Sequence, residues 1–266
     1  MIQYRILPAG FFYADGGAMF SAVPKRAWNR KYPSDEQNDC ILAMNCVLAW
    51  NDSRIVLLDT GVGSKDLGKL AYYRFFDLKD MVDGVRFYGF EPEQITDVVL
   101  SHLHFDHCGG CTRKDASGKL TITFPNAIHY VGKKQWENYL HPHALEKDSF
   151  RPEDMILVEE SGLLRKIEQD FELFPDFRIE LYDGHTPGQL VSFFTSGEKQ
   201  ILFPGDVIPT HAHLSDEWIS AYDVHPQDSF NAKRKMKERI KNKPTLLIFY
   251  HDAYFVNSHK NNVQLL

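Results

Sequence analysis

Residues 101–107 read Ser-His-Leu-His-Phe-Asp-His, which places three imidazoles and one carboxylate within six positions. The heptapeptide follows the apolar run Asp97-Val98-Val99-Leu100 and precedes Gly109-Gly110, so it reads as a strand entering a loop. Alternate residues on an extended backbone share a face, which aims His102 and His104 to one side. Asp106 and His107 follow where the chain turns and can address a second ion. Imidazole and carboxylate are the ligand types that suit zinc and its transition-metal neighbours. One ion does not need so many ligands so close together. Two ions do.

A single histidine in a soluble protein is more often a hydrogen-bonded structural residue than a ligand, so the remaining ligands must be found elsewhere in the chain. Three segments supply them. Asp183-Gly184-His185-Thr186-Pro187-Gly188 puts a histidine in a turn after Ile179–Tyr182. Phe203-Pro204-Gly205-Asp206 puts an aspartate after Gln200–Phe203, and Leu246–Tyr250 runs into His251. Each candidate sits at a strand end, where loops carry function on a rigid frame.

His102-Leu103-His104-Phe105-Asp106-His107, followed by His185, Asp206 and His251, resembles the metallo-β-lactamase superfamily of metal-dependent hydrolases. The resemblance runs from the strands before residue 60 to His251. It implies an α/β fold, an αββα sandwich of two facing mixed β-sheets with helices outside, in one hydrolase domain over residues 1–266. It also implies that His102, His104 and His185 hold one metal, that Asp106, His107 and His251 hold a second, and that Asp206 bridges both. Asp59, in Leu58-Asp59-Thr60-Gly61, is implied as the carboxylate behind a ligating histidine, a role compatible with capping the turn before Gly61. The implied cofactor is a pair of divalent transition metal ions, with zinc as the default and iron, manganese or cobalt also suited to this ligand set. Two such ions hold a hydroxide between them at neutral pH. That hydroxide opens an ester, and Asp106 and Asp206 are the carboxylates of the reaction. No GxSxG serine nucleophile occurs in the chain, which agrees.

Asp15-Gly16-Gly17-Ala18-Met19-Phe20, Val23-Pro24-Lys25 and Asp206-Val207-Ile208-Pro209-Thr210 are similar to the quorum-quenching N-acyl-homoserine-lactone lactonases. This narrower resemblance implies a small-molecule lactone substrate contacted by Met19, Phe20, Phe105, His213 and Tyr222. Many such lactonases carry a tyrosine where this chain has Pro209; His211, His213 and Tyr222 are the substitute donors. The alternatives are phosphoester hydrolysis (organophosphate triesters or RNA phosphodiesters), thioester hydrolysis of the glyoxalase II type, and a non-catalytic binding module. His211-Ala212-His213 reads either as a third metal site or as a surface pair.

The net charge of −6 disfavours a nucleic-acid partner, which calls for a basic face. The amino terminus reads as a first strand over residues 1–8 rather than a signal peptide, and no apolar run approaches 18 residues, so no membrane partner and a cytoplasmic location are expected. Cys108-Gly-Gly-Cys111 spells CxxC, but it abuts His107 and has no second copy; small side chains packed under the metal loop is the plainer reading. Strand-like runs at 41–50, 55–58, 98–100, 127–131, 178–182, 190–195, 201–203 and 245–250 alternate with helical patterns at 64–76, 91–95, 132–140 and 226–242. In the last helix the basic run Lys233–Lys241 is expected on the solvent face, opposite Ala232, Met236 and Ile240. Residues 11–39 read as turn-rich with aromatic side chains, suited to a pocket wall or to a homodimer contact. The charged segment 140–161 reads as an insertion over the active-site mouth, with His141 and His143 in a solvated loop.

Overall fold

The computed structural model describes residues 1–255. Eight strands come first in the chain: β1 (Gln3–Asp15), β2 (Asp39–Trp50), β3 (Ile55–Leu58), β4 (Asp97–Val99), β5 (Thr112–Lys114), β6 (Leu120–Ile122), β7 (Ile128–Gly132) and β8 (Leu164–Ile167). Six of them form a sheet ordered β1-β2-β3-β4-β7-β8, and β5 and β6 pair separately. The first two pairings of the sheet are antiparallel and the rest parallel. A second sheet is ordered β13 (Thr245–Leu247), β12 (Lys199–Phe203), β11 (Gln189–Ser196), β10 (Phe177–Tyr182) and β9 (Phe171–Phe174).

One apolar core joins the inner faces of both sheets, from Val47, Leu57 and Val98 to Phe177, Phe194 and Phe203. Alternation explains the second sheet's two faces. Phe194, Ile201 and Phe203 point into that core, while Phe193 and Leu202 meet Ala232, Met236 and Ile240 of α7 (Pro226–Ile240) on the outer side. In β2, every residue from Leu42 to Ala49 is buried, the continuous pattern of a strand covered on both faces. The architecture is thus mixed α/β with two mixed sheets packed on a shared core, as expected from the sequence. Among the described residues no helix is long and apolar enough to cross a membrane.

Local departures have local causes. β1 continues to Asp15 instead of ending near Pro8, because a register shift between Pro8 and Phe11 absorbs the proline, which has no N–H to donate. Phe12, Phe20 and Trp28 are therefore core residues of the chain itself, within the segment expected to be irregular. The helix expected at 64–76 is a kinked 3-10 segment, Leu67–Tyr73, with Leu70 outside helical geometry. The strand expected to reach Tyr250 ends at Leu247. Within 140–161 only the first part lies at the cavity; the rest forms α6 (Pro152–Glu160), whose Asp154, Met155 and Val158 are buried. Lys233 is not on the solvent face of α7. It is 1% exposed and donates to the Trp218 carbonyl.

Candidate metal centre

Parallel alignment brings the ligand-bearing strand ends together. β10 and β12 each run antiparallel to β11, and β13 runs parallel to β12, so β10, β12 and β13 all end on one edge. His185, Asp206 and His251 leave that edge. His102 and His104 leave β4 in the other sheet, and Asp106 and His107 lie in the short helix α4 (Phe105–Cys108). Gly109 and Gly110 follow because the loop after β3 presses on them: a Cβ at Gly109 would meet the Val62 carbonyl oxygen at 2.2 Å, and one at Gly110 would meet that of Thr60 at 2.3 Å.

All seven candidate ligands are buried, none more than 7% exposed. His104 Nδ1 lies 3.0 Å from His102 Nε2 and 3.2 Å from His185 Nε2. His107 Nε2 and His251 Nε2 lie 3.3 Å apart, with Asp106 Oδ2 3.7 and 3.5 Å from them. Asp206 sits between these groups, 3.4 Å from His185, 3.3 Å from His251 and 3.6 Å from His107. Donors bonded to zinc at about 2.0–2.1 Å in a tetrahedron lie roughly 3.3–3.4 Å apart, close to these spacings. Asp206 Oδ1 is buried with no hydrogen-bond partner among the described residues, an orphan that a cation satisfies. The His/Asp clusters fit two divalent metal ions.

The electrostatics separate the imidazoles. Burial, reinforced by His107 and His104, holds His102 well below the usual imidazole range, and neutral imidazole is the ligating form. Burial alone would lower His107, but the carboxylates of Asp106, Asp206 and Asp59 outweigh it and push it well above that range. Burial would raise Asp206, yet His251, His107 and His185 hold it well below the carboxylate range.

Every imidazole has a partner on its other nitrogen, which fixes ring orientation. Asp59 Oδ2 lies 2.8 Å from His107 Nδ1 and also accepts from Ser101 Oγ at 2.6 Å. The other partners carry no metal-site pattern in the sequence: Asp223 at 2.9 Å from His185, Glu146 at 3.3 Å from His104, the Ala43 carbonyl at 2.9 Å from His251, and Ser101 Oγ at 3.1 Å from His102. Cys108 and Cys111 are buried thiols, and no metal-compatible cluster among the described residues contains a cysteine, His141, His143, His211 or His213.

A cavity of about 170 Å³ opens above the clusters. Met19, Phe105 and Tyr222 line it, joined by Phe12, Leu42, Tyr73 and Pro209. Two of the expected substrate contacts lie elsewhere. Phe20 is fully buried and stacked between Trp28 and His213, each ring centroid 4.8 Å away. His213 spends both nitrogens on the protein, at 2.7 Å from Thr210 Oγ1 and 2.9 Å from the Met19 carbonyl. His211 is engaged by Asp252 at 2.6 Å, which leaves Tyr222, 40% exposed, as the weighed donor that reaches the cavity.

A family model described as the metallo-beta-lactamase superfamily matches residues 42–251. An N-acyl homoserine lactonase from Bacillus thuringiensis is 26% identical over 165 residues, 62% of this chain and 58% of that enzyme. The N-acyl homoserine lactonase AttM from Agrobacterium fabrum is 23% identical over 192 residues, 67% of this chain and 63% of that enzyme. The matches thus span less than two thirds of either relative. Among solved structures, one described as a probable metal-dependent hydrolase from Staphylococcus aureus aligns with a TM-score of 0.89 at 27% identity, over 99% of this chain and 97% of that one. An N-acyl homoserine lactone hydrolase with N-hexanoyl-L-homoserine at its catalytic metal centre shares the fold, with a TM-score of 0.75 at 22% identity over 94% and 93% of the two chains. The family match spans most of the chain and both halves of the buried His/Asp cluster, and on that evidence this protein belongs to the metallo-beta-lactamase superfamily.

Proposed function

We propose that this protein is a dinuclear metal-dependent hydrolase that opens lactone esters, N-acyl-homoserine lactones foremost. The observation that carries this reading is a pair of donor clusters at the floor of an apolar-walled cavity, with Asp206 3.4 Å from His185 of one and 3.3 Å from His251 of the other. His102, His104 and His185 would hold one ion, Asp106, His107 and His251 the other, with Asp206 between. Zinc is the preferred ion; the solved lactonase AidC, similar in fold, is described as a dizinc enzyme. Two such ions lower the pKa of bound water to about 7 and polarise an ester carbonyl.

The chain's own groups do the rest. Phe12, Met19, Leu42 and Phe105 shield the acyl portion from water and orient the ring ester toward Asp206. Asp206, beside both clusters, would take a proton as the ester is attacked and return it to the ring oxygen as the C–O bond breaks. Tyr222, a phenol that stays protonated at neutral pH, lines the cavity as the donor to the substrate carbonyl. The test is a panel on metal-loaded protein: acyl-homoserine lactones of several chain lengths, simple γ-lactones, a paraoxon-like triester and a glutathione thioester. A kcat/KM preference for lactones supports the reading; a preference for the triester or thioester overturns it.

A further inference from the structure

The segment joining α5 (Lys133–Leu140) to α6 meets the cavity through Leu145, Glu146 and Ser149, and the exposure of the first two is the reverse of what their chemistry prefers. Leu145 is 77% exposed at the rim, while Glu146 is 4% exposed beneath it, and both line the cavity. Apolar side chains ordinarily take the buried position, and a buried carboxylate is costly unless hydrogen-bonded. Glu146 is so bonded. Its Oε1 accepts from Asn138 Nδ2 of α5, and its Oε2 lies 3.3 Å from His104 Nε2. Asn138 Nδ2 also donates to Thr186 Oγ1 at 3.2 Å, beside His185 in the chain, and Thr186 donates to Gln135 Oε1 at 2.9 Å. The Glu146 contact is made to the His104 nitrogen opposite the one facing His102 and His185. A carboxylate there accepts the Nε2 proton and leaves Nδ1 free to ligate.

We propose that Glu146 is a positioning residue that couples metal occupancy of the His102–His104–His185 cluster to closure of residues 141–150 over the cavity. Leu145 is thereby set at the rim as the contact for the distal end of an acyl chain. The inference rests on the dinuclear reading above. Coupling of this kind is reciprocal: closure that fixes the His104 tautomer strengthens metal binding, and metal binding stabilises closure to the same degree.

The test uses the full chain, stripped with a chelator and titrated with zinc against a chromophoric competitor, alongside amide exchange over residues 141–150. Wild type binds two ions, and zinc slows exchange over 141–150. Glu146→Ala weakens one of the two sites about 10–100-fold, leaves the other unchanged, and abolishes the effect of zinc on exchange. Glu146→Gln, whose amide oxygen accepts the same proton, recovers part of the affinity. Leu145→Ala keeps both affinities and raises KM more for long-chain than for short-chain lactones. If Glu146→Ala fails to fold, Asn138→Ala removes the amide donor to Glu146 Oε1, along with its bond to Thr186, and must weaken the same site. Two ions in wild type with both affinities retained in the variant, or exchange over 141–150 indifferent to zinc in wild type, overturns the coupling alone. Fewer than two ions in wild type overturns the dinuclear reading and the coupling with it.

Discussion

Asp59 ends β3 with a φ of 55°, a left-handed conformation that aspartate and asparagine tolerate better than most residues. From there its carboxylate receives the Ser101 amide, the Ser101 hydroxyl and His107 Nδ1. Asp59→Asn keeps the backbone preference and removes the charge. Metal affinity is expected to fall about 10–100-fold with little change in melting temperature of the stripped protein, measured by competition titration and calorimetry. Asp206→Asn goes further, removing the charge that His185, His251 and His107 surround. Lactone turnover is expected to disappear while circular dichroism stays that of wild type. The candidate ligands could be picked out in the sequence because each stands in a turn after an apolar run. Asp223 and Glu146 could not, because they pair with His185 and His104 across 38 and 42 residues and their flanking sequence carries no metal-site pattern.

Elements show where local pattern and tertiary context part company. Helix α6 was hidden in a charged segment because its buried face includes Asp154, which compensates two cations rather than facing water. Lys65 Nζ lies 2.6 Å and Arg151 Nη2 2.9 Å from it, all three buried, and Lys65 also donates to the Gly109 carbonyl behind the metal loop. Asp154→Ala would leave both cations unpaired, at an expected loss of about 3–5 kcal/mol in denaturant unfolding. On α7 the 3.6-residue stripe of Ala232, Met236 and Ile240 was readable, but the burial of Lys233 was not, because it depends on the Trp218 loop folding over the helix. Burial lowers the Lys233 pKa from 10.5 to about 8. The folded protein therefore releases this proton before the unfolded chain does, and stability gains from Lys233 as pH rises from about 8 toward 10.5. Lys233→Met is expected to flatten that rise relative to wild type in urea unfolding across the window.

At the scale of the molecule, the candidate site is a seam. His102, His104, Asp106 and His107 come from the first sheet, and His185, Asp206 and His251 from the second. Alternating strand and helix patterns indicated an α/β chain, and the resemblance carried by the His/Asp residues supplied the two facing sheets. Strand order was out of reach, since it is set by pairings between segments distant in sequence, such as β3 with β4 and β4 with β7. Ions held across this seam would link the sheets. Zinc at about 100 times its dissociation constant is expected to add about 2.7 kcal/mol to stability per site, seen as a higher melting temperature than that of the stripped protein. The most direct test is stepwise zinc addition to stripped protein while proton release from N-hexanoyl-homoserine lactone is followed. The account predicts no turnover without metal and a rise that breaks at two equivalents per chain; full turnover in the stripped protein, or a break at one equivalent, would contradict it.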